Sequence, residues 1–372
     1  MSLRQRFASL DLTLVVITIG FVAFGLIMLL SASGPTAFQQ TGDSLFFVKR
    51  QILSGIIPGL IGFLFFALVD YRRFRPLAFF ALFVSLALLI LVYVPGLGIK
   101  INGAHGWLRI GPITFQPSEL VKFTFLIYLA AWLEKRQGAS AHDTQTGLLP
   151  FLCAVGAVML LLIFQPDTGS MAVIVGTALM LYFLSGAPIT WFVSLCALGG
   201  GLLGLLLKLS PYRAARFMTF LHPELDPKGV GYHINQAILA IGSGGWFGLG
   251  YGHSRQKYLY LPEVASDSIS AVMGEELGFL FMAGIITLFG FMIWRCFKIA
   301  RESSDPFGMY LAAGVGIWLT IQSLLNVGSM TGLLPITGVT LPFISHGGSA
   351  MTVMLSAMGL VAGIPRVRRV GK

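Results

Sequence analysis

The chain has 372 residues, of which 56% are hydrophobic and only 11% are charged, and its mean hydropathy is +0.83. Soluble domains carry about 25% charged residues, so this composition excludes an ordinary soluble protein. The net charge of +10 would suggest nucleic acid in a soluble protein. In a membrane protein the positions of Lys and Arg report orientation instead, and no nucleic-acid partner is expected.

Apolar runs of about 20 residues are long enough to cross a bilayer as helices. Gln165, Pro166 and Asp167 separate two of these runs, because Pro beside a charged residue makes a poor helix interior in lipid. The sequence therefore predicts an all-α, polytopic membrane protein with about ten transmembrane helices, at 12–33, 50–69, 76–95, 117–133, 148–165, 168–186, 188–209, 269–297, 307–331 and 341–364.

The basic residues favour an orientation with both termini in the cytoplasm. In that orientation the inner segments hold 14 of the 25 basic residues, and the outer segments hold 9 of the 15 acidic residues. The first apolar run is too long for the core of a cleaved signal peptide, so we expect it to remain as an anchor.

Two long connections then fall on the outer side, at 95–116 and, between the seventh and eighth predicted helices, at 210–266. Long ordered loops tend to be functional, so the working surface is expected there. Aromatic and basic residues alternate after Tyr212, which suits a short interfacial helix. A second helix-like piece follows in YHINQAILAIG.

Residues 242–252 read GSGGWFGLGYG, with six glycines in eleven residues. Nucleotide-binding glycine loops need a strand before the glycines and a helix at a defined spacing after them, and this segment has neither. The glycines are expected to permit a close approach of backbone to a helix or ligand, or a re-entrant turn.

Four carboxylates lie at the outer end of the eighth apolar run, in LPEVASDSISAVMGEELGF: Glu263, Asp267, Glu275 and Glu276. An ionised carboxylate in hydrocarbon costs roughly 2.5 kcal/mol or more, so such residues usually face water, a charged partner or a substrate. Asp267 has an alternative role as a helix N-cap. On a regular helix Glu275 lies about 80° from Asp267 and Glu276 lies on the opposite side, so only Glu275 is expected to share its face.

Glu119 and Lys122 have the spacing of an i, i+3 ion pair. At membrane depth each partner offsets the burial cost of the other, which favours a structural clamp over a direct ligand. Asp167, in QPDTG, is expected to be a helix N-cap, with a role in lining a cavity as the alternative.

Trp107 lies in an outer connection, where Trp commonly anchors a protein at the membrane interface. Arg109, Arg255 and Lys257 are basic residues on the same side, which either meet a phosphate or are ordinary surface charges. No pair of histidines has the spacing of a zinc site, so neither a metal nor another cofactor is expected. The sequence carries no signal for or against a divalent cation.

Five segments resemble signatures of the SEDS family of shape, elongation, division and sporulation proteins, which includes FtsW and RodA: NGAHGWLRIGPITFQPSELVK, QPDTGS, GYHINQAILAIGSGG, LPEVASDSISAVMGEELGF and LLPITGVTLPFISHGGSA. SRQKY, before LPE, resembles the FtsW branch more than the RodA branch. Four residues depart from the family pattern: Gly106 where Arg is common, Ser268 and Ser270 where Phe is common, and His346 where Tyr is common.

The resemblance implies a single transmembrane domain over 1–372, with 210–266 as its long extracytoplasmic loop, in the bacterial cytoplasmic (inner) membrane. It also implies a peptidoglycan glycosyltransferase that polymerises lipid II. The implied partners are a class B penicillin-binding protein transpeptidase and other division or elongation membrane proteins.

The catalytic aspartate of the family matches Asp267, its ion-pair clamp matches Glu119 and Lys122, and its loop tryptophan matches Trp107. Two further residues lie in a matching signature and are expected to support the site: Gln236 and Ser243.

Transfer of a sugar from a pyrophosphate with inversion chiefly needs a base that takes the proton of the acceptor hydroxyl. Asp267 is the predicted base, and Glu263 or a neighbouring residue is expected to raise its pKa. Three cations are candidates to steady the departing pyrophosphate: Arg109, Arg255 and Lys257.

Two other functions remain open. A flippase for lipid II would favour acidic residues spread through the membrane depth, whereas here they concentrate at the outer face. A non-enzymatic division scaffold would use the outer loop as a docking platform.

Overall fold

The structure is a computed structural model that describes residues 9–101, 104–111, 113–136, 143–209, 211–223, 226 and 229–370. Each predicted apolar run falls on a helix, and two more helices lie in the predicted outer loop. In chain order the helices are α1 Leu12–Thr41, α2 Phe46–Leu68, α3 Ala78–Leu91, α4 Pro117–Glu134, α5 Thr144–Phe164, α6 Thr168–Leu184, α7 Ile189–Leu209, α8 Pro211–Leu221, α9 Val230–Ser243, α10 Ile269–Arg301, α11 Pro306–Met330 and α12 Gly348–Val370.

Seven of these helices are long and apolar enough to cross a membrane: α1, α2, α5, α7, α10, α11 and α12. Two more, α3 and α6, are apolar but have only 14 and 17 residues. Helix α4 is also not among the seven, but for a different reason: it is 18 residues long and includes three charged residues, Glu119, Lys122 and Glu134. The chain is a polytopic helical membrane protein, and the count of ten spans stays a prediction.

The connection between α3 and α4 contains a small antiparallel sheet that the all-α prediction did not include. Its strands are β1 Gly98–Ile101, β2 Ala104–Ile110 and β3 Ile113–Phe115, in the order β1-β2-β3. Trp107 pairs with Ile99 across the first ladder, and Arg109 pairs with Thr114 across the second. The side chain of Arg50, on α2, donates to the hydroxyl of Thr114 at 2.8 Å and so ties the sheet to the bundle.

We call the end of the bundle where α1 begins the inner end. There Arg295, on α10, makes a two-pronged ion pair with Asp11, which also caps α1 by accepting from the N–H of Leu14 at 2.9 Å. Nearby, Asp305 accepts from the hydroxyl of Tyr71 at 2.6 Å. Burial, followed by this hydrogen bond, raises the pKa of Tyr71 to about 12. These polar contacts join helices at the inner end of the bundle.

The centre of the bundle is formed by α11 and α12, most of whose residues are buried, whereas α7 lies at the periphery. Small residues permit the close packing of α12 on α2. A Cβ on Gly359 would overlap the carbonyl oxygen of Phe63, so the two helix backbones are in direct contact. Close backbone packing through glycine is a common way to associate helices in lipid, where the hydrophobic effect gives little drive.

Helix α10 is broken near its outer end at Gly278, whose φ of 76° and ψ of 178° are not helical. The break removes helical hydrogen bonds, and the glycine-rich segment 244–250 replaces them. Four backbone hydrogen bonds join the two segments. The N–H groups of Leu249 and Gly250 donate to the carbonyls of Glu275 (2.9 Å) and Glu276 (3.0 Å). In the other direction, the N–H groups of Phe279 and Leu280 donate to the carbonyls of Gly245 (2.9 Å) and Trp246 (3.2 Å). The predicted close approach of glycine backbone to a helix is therefore present.

Replacing Gly248 with Ala tests this backbone contact. Gly248 has a φ of +80°, and a Cβ there would overlap the carbonyl oxygen of Glu276. The strained backbone alone is expected to lower the free energy of unfolding by about 1–3 kcal/mol. The measurement is thermal unfolding of the purified protein in detergent.

Gly242→Ala is the matched control, because Gly242 is exposed on α9 and an added Cβ meets no atom within 4 Å. That variant should melt like the wild type or slightly above it, since Ala favours a helix. Equal melting temperatures for the two variants would contradict the packing described above.

Candidate functional site

Asp267 lies in the turn 261–268, which leads into α10 at the outer end of the bundle. The N-cap position of α10 is Ser268 and the helix begins at Ile269, so the N-cap interpretation of Asp267 is wrong. Its side chain is half-buried. A Cβ added to the exposed residue Gly338 would lie 3.4 Å from Oδ2 of Asp267, which places the carboxylate beside Gly338.

A buried asparagine on α11 holds the backbone of Asp267. The amide nitrogen of Asn326 donates to the carbonyl of Asp267 at 2.9 Å and to that of Val339 at 2.8 Å. Its amide oxygen accepts from the hydroxyl of Ser270 at 2.9 Å. We did not predict a role for Asn326, although a polar amide inside an apolar helix is a signal of function or of a structural hydrogen bond.

Ser268 and His346, two departures from the family pattern, also contact this turn. The hydroxyl of Ser268 donates to the carbonyl of Pro262 at 2.7 Å, and Nε2 of His233 lies 2.6 Å from the same hydroxyl. A serine has one hydroxyl proton, so the ring nitrogen of His233 is the donor in the second contact. The backbone N–H of His346 donates to the carbonyl of Ala265 at 2.7 Å. Elements α9, α11 and the segment before α12 thus all hold the turn.

Glu263 occupies the same turn as Asp267. Its side chain is exposed, its φ is +50°, and it accepts from the hydroxyl of Ser266 at 2.9 Å. The structure therefore brings the predicted base and its predicted acidic neighbour into one short segment.

Glu275 and Glu276 are each about 1% exposed, so neither faces open water. Glu275 accepts from the backbone N–H of Arg255 at 2.9 Å and from that of Gln256 at 3.3 Å. The predicted angle of Glu275 relative to Asp267 assumed a helix through both residues, whereas α10 begins at Ile269. The carboxylate binds the loop before the turn.

Lys257 is buried in an ion pair with Glu276, with Nζ and Oε1 2.9 Å apart. The interpretation of Lys257 as a surface charge is wrong, and a contact between its ammonium and a phosphate would require this pair to open. Arg255, in contrast, has an exposed side chain. Of the two residues on this loop that were predicted to bind phosphate, Arg255 is accessible to solvent and Lys257 is not.

The predicted ion pair between Glu119 and Lys122 is present, with Nζ and Oε1 2.7 Å apart, and both side chains are buried. Gln322, on α11, lies 3.4 Å from the Lys122 ammonium and donates to the carbonyl of Thr340 at 3.0 Å. The pair therefore connects α4 with α11 and with the segment beside Asp267. Its burial fits a structural role.

Asp167 caps α6 by accepting from the backbone N–H of Ser170 at 2.9 Å. It also accepts from the hydroxyl of Ser118 at 2.8 Å, at the start of α4. The predicted N-cap is therefore correct, and the half-buried carboxylate also joins the outer ends of two helices.

The remaining predicted residues lie on separate outer elements. Trp107 is half-buried and Arg109 is exposed, both on β2. On α9, Gln236 is half-buried, and Ser243 is exposed and donates to the carbonyl of Ala240 at 2.8 Å. Within the described residues, no group of three His, Cys, Asp or Glu side chains is arranged to hold a metal ion.

These observations define a class, namely a polytopic helical membrane protein with an acidic turn at one end, held by a broken helix and a buried polar network. The chain matches the family described as Cell cycle protein, FtsW/RodA/SpoVE, over residues 11–370. It belongs to that family.

Similar proteins cover nearly the whole chain. Stage V sporulation protein E of Bacillus subtilis (strain 168) is 41% identical over 360 residues, which cover 96% of this chain and 98% of that protein. A probable peptidoglycan glycosyltransferase FtsW of Thioalkalivibrio sulfidiphilus is 39% identical over 368 residues, with 98% and 90% of the two chains covered.

Solved structures have the same fold. A chain in a structure described as the structural coordination of polymerization and crosslinking by a peptidoglycan synthase complex has a TM-score of 0.80 and 29% identity, covering 97% of this chain and 98% of that chain. The rod shape determining protein RodA of Thermus thermophilus has a TM-score of 0.71 and 28% identity, with the same two shares covered.

Replacing Lys122 with Met tests the buried ion pair. The change leaves the Glu119 carboxylate in a dry interior without its cation, which is expected to lower the free energy of unfolding by about 3–5 kcal/mol. The measurement is unfolding of the purified variant in detergent.

The double variant Glu119→Leu with Lys122→Met removes both charges and should lose much less stability than Lys122→Met alone. If the two proteins were equally destabilised, the pair would not be compensating buried charge.

Proposed function

We propose that the chain is a peptidoglycan glycosyltransferase that polymerises lipid II on the outer face of the bacterial cytoplasmic membrane, with Asp267 as general base. The observation that carries the proposal is the contrast between Asp267 and the two acids that follow it on α10. Glu275 and Glu276 are buried and bound to protein donors, whereas Asp267 is half-buried on a fixed turn at the outer end. Relatives that span the whole chain are named peptidoglycan glycosyltransferases.

The reaction requires little covalent chemistry from the protein. The acceptor hydroxyl oxygen attacks the anomeric carbon of the donor sugar, the bond from that carbon to the pyrophosphate oxygen breaks, and the lipid pyrophosphate leaves with the bonding electrons. Asp267 takes the hydroxyl proton. Glu263 lies in the same turn, and we assign it as the carboxylate that supports Asp267.

The outer end also suits the anionic leaving group. In the proposed orientation α4, α6, α10 and α12 all begin there. Helix N-termini carry partial positive charge that stabilises nearby phosphate groups. Arg109 and Arg255 have exposed side chains at this end and are the cations that we assign to the departing pyrophosphate.

The two rival functions make less use of these features. A flippase needs polar groups that face a passage through the membrane, yet Glu119, Glu275 and Glu276 are each engaged by internal partners. A scaffold does not require an acid held at the outer end by three separate elements. The experiment on Asp267 given below distinguishes both rival functions from the proposed one.

We further propose a class B penicillin-binding protein as partner, with both chain termini in the cytoplasm. The support is the similarity to a chain of a peptidoglycan synthase complex and the excess of Lys and Arg in the inner segments of the sequence. Co-purification of the chain with a cognate transpeptidase, and formation of crosslinked product only when both are present, would test the pairing. Other division or elongation proteins would join through the same complex.

Asp267→Asn tests the catalytic assignment with little change in side-chain size. Removing a general base is expected to lower the rate of lipid II polymerisation by about a hundredfold or more, because a base contributes that much to the transition state. Binding of lipid II should persist. Both quantities are measured on the purified variant, by glycan-strand formation and by a fluorescent lipid II binding assay.

Asp43→Asn is the control, since Asp43 is another outer carboxylate but pairs with Lys49 at 2.7 Å in an exposed position. It should polymerise lipid II at the wild-type rate. Normal polymerisation by Asp267→Asn would defeat the assignment. Lipid II movement across vesicles without polymerisation would indicate a flippase, and normal cell growth with Asp267→Asn would indicate a scaffold.

A further inference from the structure

The loop 252–257 is bound by two adjacent buried carboxylates on α10. Three successive backbone N–H groups of the loop point at these carboxylates: Ser254 at Glu276 (3.3 Å), and Arg255 (2.9 Å) and Gln256 (3.3 Å) at Glu275. The hydroxyl of Ser254 also donates to Glu275. Consecutive N–H groups in this arrangement form an anion-binding concavity, and here a side chain of the protein itself fills it.

The same loop, together with Tyr251 immediately before it, is fastened to α1. The hydroxyl of Tyr251 donates to the carbonyl of Ile27 at 2.8 Å. One helical turn later the hydroxyl of Ser31 donates its one proton to the carboxylate of Glu276, whose two oxygens lie 2.7 and 2.8 Å away, and accepts from Lys257 at 3.0 Å. The loop therefore joins α1 to the outer part of α10, above the break at Gly278.

The charged groups in this cluster are buried, so protein partners rather than water must stabilise them. Glu276 is neutralised by Lys257, whose ammonium also donates to the carbonyl of Gly252 at 2.8 Å. Glu275 has no side-chain cation among its described partners and depends on the loop N–H groups and the Ser254 hydroxyl. Charge-assisted bonds to backbone N–H groups are about twice as strong as neutral ones. Neutralising Glu275 should therefore weaken the hold on the loop.

We infer that Glu275 and Glu276 are positioning residues, which hold loop 252–257 so that the side chain of Arg255 faces the leaving pyrophosphate. This inference rests on the proposed function. The backbone of Arg255 is fixed by Glu275 while its side chain is exposed. Lys257 is buried in the anchoring ion pair, so Arg255 is the Lys or Arg side chain of this loop that remains exposed.

Kinetics of lipid II polymerisation by the purified full chain test the coupling. Arg255→Ala should lower kcat by about tenfold, because it removes a cation at a site of developing negative charge. Glu275→Gln should lower kcat to a similar extent by misplacing Arg255. The double variant should be no slower than either single variant, because Glu275 acts through Arg255. Losses that multiply in the double variant would overturn the inference, and so would a wild-type kcat for Glu275→Gln.

Limited trypsin digestion tests the anchoring without any need for activity. In the wild type the chain should resist cleavage after Arg255 and Lys257, because the loop backbone is bound and Lys257 is buried. Glu275→Gln and Glu276→Gln should be cleaved there at least about tenfold faster, while Arg301→Ala, which changes an exposed basic residue at the inner end of α10, should not. Unchanged protection in both Glu variants would overturn the inference.

If Glu275→Gln fails to fold, Ser254→Ala replaces it in both assays, because it removes one donor to Glu275 and leaves the charge in place. It should show smaller changes in the same directions, and no change in either assay would overturn the inference. An active Asp267→Asn variant would refute the proposed function and leave the digestion result to decide the anchoring. The two failures are thus distinguishable.

Discussion

A backbone break at membrane depth must have its freed N–H and carbonyl groups satisfied by protein, because lipid offers no hydrogen bonds. In this chain the break is at Gly278 in α10, and residues 244–250 supply the partners. The glycines of that segment are needed for contact between the two backbones, as at Gly248. The position of the outer part of α10, and of the turn that carries Asp267, depends on this contact.

The four acidic residues around α10 lie in different surroundings. Glu275 and Glu276 are buried and take up loop donors and the Lys257 ammonium, so they act on structure. Asp267 and Glu263 lie in the preceding turn, nearer to solvent. Neighbouring carboxylates in unlike environments commonly divide structural and proton-transfer roles. The proposed base is therefore distinguished by position, and the buried pair holds the loop that precedes its turn.

Periodicity and apolar length predicted the helices well, since burial in lipid requires long runs that sequence displays directly. The i, i+3 spacing likewise predicted the Glu119 to Lys122 pair. Other features depended on contacts distant in sequence. The sheet at 98–115 consists of short strands with weak patterning, and the angle assigned to Glu275 assumed a helix that already included Asp267. The partners of Lys257 come from α1 and α10, so spacing within its own loop carried no signal for its burial.

Hydrogen exchange of backbone amides in the detergent-solubilised protein tests most directly whether segment 244–250 closes the break in α10. The account predicts that the amides of Leu249, Gly250, Phe279 and Leu280 exchange as slowly as those in the buried helix α11, since each donates to a carbonyl across the contact. Exchange at these four positions as fast as in an unfolded peptide would show that the break is open, and it would contradict the account of how Asp267 is held.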